Sequence, residues 1–249
     1  VTPPAAPERS RSTAPEPDHQ PEALRRLRAR TGPLTLAGER ALVVAPELRG
    51  LFPDGLRRGT AVGVVGDAAV SLTLALAAEA TRTGSWLAVL GAPWLAWPAA
   101  AELGVAIERT VAVADPGAER WAEAAGALLD GFDLVVAVHG PGRQRVRAAE
   151  ARRLAGRARQ QGSVLVPLPD PFGERCEAWP ESTDLHCRAD TAEWIGIGSG
   201  HGHLTGRRVQ VEVGGRRVPR PRRAELWLPG ASGDMAVVEP VASVTALRS

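Results

Sequence analysis

The chain has 249 residues, 44% of them apolar, with a formal net charge of +2, which suits one large domain or one domain with appendages. Its apolar runs fall far short of the roughly 20 residues that cross a bilayer, and the opening VTPPAAPERSRSTAPEPDHQP lacks the apolar core of a secretion signal. A soluble, cytoplasmic protein is expected, and its two cysteines, Cys176 and Cys187, make no disulfide framework.

Residues 1–21 are rich in Pro, Ser and charge with almost nothing to bury, so they are expected to be disordered. Residues 22–50 hold a short basic helix, PEALRRLRART with Leu24 and Leu27 as its anchors, and a linker. From Leu51 onward, near-continuous apolar runs of the kind buried on both faces occur at 61–65, 86–90, 133–138 and 163–168. Helical patterns lie between them at 72–83, near 100–104, at 117–130 and at 142–161. Trp121, Ala124, Ala125 and Leu128 mark one face of the third. Alternating strands and helices imply an α/β protein with a doubly wound, mostly parallel sheet flanked by helices. After Asp190, Val209, Val211 and Val213 alternate before Gly214 and Gly215, which predicts a β-hairpin, and residues from Pro229 read as a loop-like tail.

The run AVGVV-GDAAVSLT places a glycine turn between a strand and a helix, where a nucleotide-binding protein carries G-x-x-x-x-G-K-[ST]. Gly66 and Thr73 fit that motif. Ser71 stands at the second glycine and Leu72 at the lysine, and all 30 basic residues of the chain are Arg. The strand 133–138 should end in a magnesium-holding acid and ends instead in Val138, followed by His139. No cofactor is expected. The bland alternative is a plain strand-to-helix turn capped by Asp67 or Ser71.

The order of these features resembles a bacterial RecA-type recombinase over about residues 51–208, from FPDGLRRGTAVGVVGDAAVSLT through GAPW and FDLVVAVHG to VPLPD. That resemblance implies a RecA-like, P-loop-type core, with Pro93 where the family's catalytic Glu follows the second strand and Leu168–Pro169 at its Gln sensor. The nucleotide site, marked by Gly66, Ser71, Leu72, Thr73, Pro93 and Val138, is then vestigial and the protein a pseudo-ATPase. SGHGHLTGRRVQVEV followed by RPRRAELWLPG, with the degenerate loop, resembles the actinobacterial ImuA-prime type, an accessory of damage-induced (SOS) mutagenesis. The resemblance implies a non-catalytic adaptor in translesion synthesis that binds a Y-family polymerase homologue and, through it, an error-prone replicative-type polymerase. Two alternatives stay open: a DNA-binding ATPase with a non-standard loop, and a RecA-like cell-division inhibitor.

Two Arg-rich regions remain. On the helix at 142–161, Arg152, Arg153, Arg157 and Arg159 lie off the apolar stripe and could meet nucleic-acid phosphates or remain a solvated face. Residues 209–249 are expected to form the hairpin and an interaction tail, with Arg220, Arg222, Arg223, Leu226, Trp227 and Leu228 as partner anchors. The competing expectation is that AELWL closes the core sheet. Self-association is allowed, DNA is a possible partner, and no metal site is expected because the Cys and His residues lack a paired C-x-x-C unit.

Overall fold

Among the described residues, nine strands line up side by side, in the order Thr110–Val113, Leu87–Leu90, Leu134–His139, Val164–Pro169 in one sheet and Val62–Val65, Leu185–Ile197, Gly202–Gly215, Val218–Trp227, Ala236–Val237 in the next. The computed structural model describes residues 41–140, 145–173, 179–197, 201–216 and 218–238. The expected N-terminal disorder and basic helix, Cys176, and the chain beyond Val238 lie outside the described residues. The parallel strands are β3 (Val62–Val65), β4 (Leu87–Leu90), β5 (Thr110–Val113), β6 (Leu134–His139) and β7 (Val164–Pro169). The other long strands are β8 (Leu185–Ile197), β9 (Gly202–Gly215) and β10 (Val218–Trp227); β1 (Ala41–Leu42), β2 (Leu56–Arg57) and β11 (Ala236–Val237) are two-residue pieces. A parallel bridge from Ala61 to Leu165 joins the two sheets, and the Leu165 amide donates to the Thr60 carbonyl at 3.0 Å.

The pairings are parallel from β5 through β7 and between β3 and β8, then antiparallel from β8 to β11. This follows from the side chains. Val135, Val136, Ala137 and Val138 are buried on both faces of β6, as a strand covered above and below by helices requires. β9 instead alternates Val209, Val211 and Val213 inward with Gln210 and Glu212 outward.

Among the described residues, four α-helices flank the strands: α1 (Ala69–Arg82), α2 (Trp97–Glu102), α3 (Ala118–Leu129) and α4 (Ala148–Gln161). α1 is buried almost all round, with Leu72, Ala75 and Leu76 at 0% exposure. Each such leucine contributes about 1.5–3 kcal/mol by burial. α4 is amphipathic, resting Ala151, Leu154, Ala155 and Ala158 inward and ending at Gly162, whose φ of 71° is the left-handed cap that glycine tolerates. Trp121 of α3 donates its indole N–H to the Val138 carbonyl at 2.9 Å, pinning α3 over the end of β6.

The elements differ from the expected ones at five points. α1 begins at Ala69 rather than near residue 72, and α4 begins at Ala148 rather than near 142. β5 and β8 were not anticipated: β5 is a four-residue edge strand, and β8 mixes charge with apolar residues because one of its faces meets solvent. The supposed boundary between core and tail at residue 208 falls inside β9, and β10 hydrogen-bonds along β9 with Leu226 opposite Val209. The C-terminal strands are therefore part of the sheet that contains β3.

Candidate functional site

The turn after β3 is where the sequence places a phosphate loop, and the chain has filled it with its own groups. Gly66 has φ of 107°, and a Cβ there would collide with the Ala189 carbonyl of β8. That carbonyl accepts a hydrogen bond from the Ala68 amide at 3.0 Å. Asp67 Oδ1 accepts from the Thr191 amide at 2.7 Å, so β8 clasps the turn at two points. A phosphate-cradling loop keeps its amides aimed at the ligand. Here the chain has already wound into α1 by Ala69, and the Leu72 amide donates to the Ala68 carbonyl at 3.0 Å.

The magnesium side of the turn is apolar. Thr73 is 3% exposed, and its hydroxyl has no hydrogen-bond partner among the described residues. It lines a cavity with Val70, Ala92, Trp94, Leu95 and Leu168, and the Trp94 indole N–H is likewise unpartnered. Trp94 meets Phe172 edge-on at 5.6 Å. Val138 is fully buried and Pro93 is exposed, so neither position offers a carboxylate. The fold that carries such a loop implies a magnesium nucleotide. The donors do not fit one: Leu72 replaces the ammonium, hydrocarbon surrounds the Thr73 hydroxyl, and β8 takes the loop amide.

His139, at the end of β6, is 2% exposed against Trp179, with ring centroids 5.2 Å apart. Burial pushes its pKa down to about 4, so the imidazole is neutral at pH 7. Cys187 is buried in β8, where desolvation pushes its thiol up to about 12 and leaves it unreactive. Among the described residues, no three His, Cys, Asp or Glu side chains gather as a metal site would require.

Arg207 of β9 is not among the arginines that the sequence marks out. Arg207 is 7% exposed. Its Nη2 donates to Ser71 Oγ at 2.5 Å and its Nε to the Leu228 carbonyl at 2.8 Å. The alternation of β9 was the available signal, since Arg207 shares the inward face with Val209, Val211 and Val213.

Of the expected partner anchors, Leu226 and Leu228 are corrected: both are at 0% exposure, because the alternation of β10 turns them into the core. AELWL closes the sheet. Arg222 points Nη1 at the Leu51 carbonyl at 3.1 Å, and Arg223 pairs with Glu212 at 2.8 Å. Trp227 is half-buried and Arg220 is exposed. Arg208 reaches Glu193 at 3.0 Å and Glu225 at 4.0 Å. On α4, Arg152, Arg153 and Arg159 are exposed, Arg152 lies 3.7 Å from Glu181, and Arg157 is paired with Asp130, which raises its pKa.

Three of the exposed large apolar side chains lie together on β8 and β9. Beyond Thr191 the paired strands β8 and β9 continue as an arm in which Trp194 is 47%, Ile197 53% and Leu204 39% exposed. Gly196, with φ of 90°, sits at the register shift that bends the arm.

Residues 50–179 match the family model of the MT3502 N-terminal domain. A stretch of 114 residues is 41% identical to the uncharacterized protein Rv3395c of Mycobacterium tuberculosis, covering 46% of this chain and 53% of that protein. The chain thus spans about half the length of this curated relative. The crystal structure of the RadB recombinase superposes with a TM-score of 0.56 at 15% identity, covering 78% of this chain and 97% of that one. The fold is RecA-like.

Proposed function

The chain belongs to the MT3502 N-terminal domain family, and from that premise we propose that it is a non-catalytic RecA-like adaptor in damage-induced mutagenic translesion synthesis. The observation that carries the non-catalytic half is the closed turn, where the Ala68 amide is bonded to Ala189 and Leu72 is wholly buried in the lysine position. An ATPase needs cradling amides, a cation and a magnesium carboxylate together. The partners, a Y-family polymerase homologue and an error-prone replicative-type polymerase, come from the resemblance in the sequence. The arm carrying Trp194, Ile197 and Leu204 replaces Leu226 and Leu228 as the docking element in this reading, because exposed aromatic and aliphatic side chains supply interface anchors.

Recovery of the tagged protein from cells with damaged DNA tests the reading, and the expected co-purifying protein is the polymerase homologue. Capture of a division-polymer subunit in its place would favour the division-inhibitor alternative. DNA-stimulated turnover of magnesium-ATP by the purified chain would favour the alternative of a DNA-binding ATPase with a non-standard loop. A melting midpoint unmoved by magnesium-ATP is the result expected of the adaptor.

A further inference from the structure

Arg207 is anchored to the closed turn from 136 residues away in the chain. Its guanidinium lies 5.0 Å from the Trp194 ring, and its own backbone N–H donates to the Pro229 carbonyl at 2.9 Å. One side chain thereby links the first turn of α1, the base of the arm and the segment after β10. Burial disfavours its charge, and Asp67 partly restores it. A strand-to-helix turn alone gives no reason for a cation here, since the N-terminal end of a helix already carries partial positive charge. An apolar side chain of equal size would leave Ser71 Oγ and the Leu228 carbonyl without this donor.

We propose that Arg207 is a built-in occupant of the turn, a cation drawn from β9 that holds the closed form in place of a bound group. This deepens the non-catalytic reading and rests on it. The fold then needs no nucleotide to order its central helix.

The test uses the full chain. Arg207→Ala should lower the melting midpoint by about 10 °C, as loss of a buried, charge-assisted anchor does in a chain of this size. Millimolar methylguanidinium should then restore at least half of that loss with saturation, and methylammonium should not. Arg207→Lys should behave like the alanine variant, because an ammonium cannot make the planar two-sided contact. Arg208→Ala is the neighbouring control and should show a smaller loss with no rescue. An unchanged midpoint in Arg207→Ala, or a loss that methylguanidinium leaves untouched, overturns the proposal. Should Arg207→Ala fail to fold, Asp67→Asn decides: Asn still accepts from Thr191 and removes only charge. A midpoint lowered at low salt more in the unaltered chain than beside Arg207→Met then supports a seated Arg207 cation, and an equal loss, which the helix N-terminus alone accounts for, overturns it. Hydrolysis of ATP by the unaltered chain would instead overturn the non-catalytic reading, whatever these variants do.

Discussion

In the turn after β3, the Ala68 amide, the Asp67 carboxylate and the Ser71 hydroxyl all find partners inside the chain, while the arm beyond Thr191 leaves Trp194, Ile197 and Leu204 in water. The first region has no polar group of these three to offer a ligand. The second has apolar area that its own fold leaves uncovered, and a group of exposed large side chains is informative where a single one is not. A RecA-like scaffold can therefore close its interior site and keep an outward surface, because the two are built from different stretches of β8 and β9.

The largest expected effect comes from breaking the inner region. Ending the chain at Val218 removes Leu226 and Leu228 and uncovers Val209 and Val211, so the shortened chain should be insoluble or lack cooperative melting by circular dichroism. The single change Leu226→Ala should cost about 2–5 kcal/mol in denaturant unfolding. Leu72→Lys restores the lysine of the motif but places an ammonium in a fully buried position, at a cost on the order of 3–5 kcal/mol. It should gain no ATP turnover, because Val138 still supplies no magnesium ligand. Turnover in that variant would mean that the turn opens more readily than its hydrogen bonds imply.

His139 gives an intermediate effect with a defined pH window. Its imidazole takes up a proton near 6.5 when the chain is unfolded but only near 4 when folded. The unfolded state binds more protons between those values, so stability should fall as pH drops from 6.5 toward 4, by about 3 kcal/mol in total, and should not depend on His139 above that window. Denaturant titrations at pH 7 and pH 5 measure this, and His139→Phe should flatten the difference between them.

The smallest stability changes belong to the outer region. Ile197→Ser combined with Leu204→Ser, which spare the Trp194 ring over Arg207, should shift stability by roughly 1 kcal/mol or less, since both side chains are largely exposed, yet abolish capture of the polymerase homologue. Intact capture would move the interface off the arm. Arg152→Glu, Arg153→Glu and Arg159→Glu together, sparing the Asp130 partner Arg157, should leave melting within about 1 kcal/mol. The same variant should weaken single-stranded DNA binding in a salt-dependent way if α4 contacts phosphates. Unchanged binding makes α4 a solvated face.

How much of this was legible depended on where each residue's partner lay. The parallel strands announced themselves, since a run such as DLVVAV has no polar face to confuse the reading. The early start of α1 was not legible, because it depends on Ala189, far along the chain, taking up the Ala68 amide. β8 was obscured for the same reason that it works: Arg188 and Asp190 face solvent while Cys187 and Ala189 face the core. The identities at Leu72, Thr73 and Val138 were plain in the sequence. What surrounds them was not, and the cavity that Trp94 and Thr73 line together is a tertiary fact.

The bridge from Ala61 to Leu165 and the pairing of β3 with β8 also fix an order of events at the ribosome. The central strand is made early, but one neighbour follows about a hundred residues later, and the Ala61 amide waits for Asp184, 123 residues downstream. At translation rates of about 5–20 residues per second, β3 and the apolar α1 emerge roughly 6–25 s before that flank can be covered. During that interval the nascent chain carries one of its most hydrophobic segments, residues 61–82, without the strand that flanks it in the finished sheet.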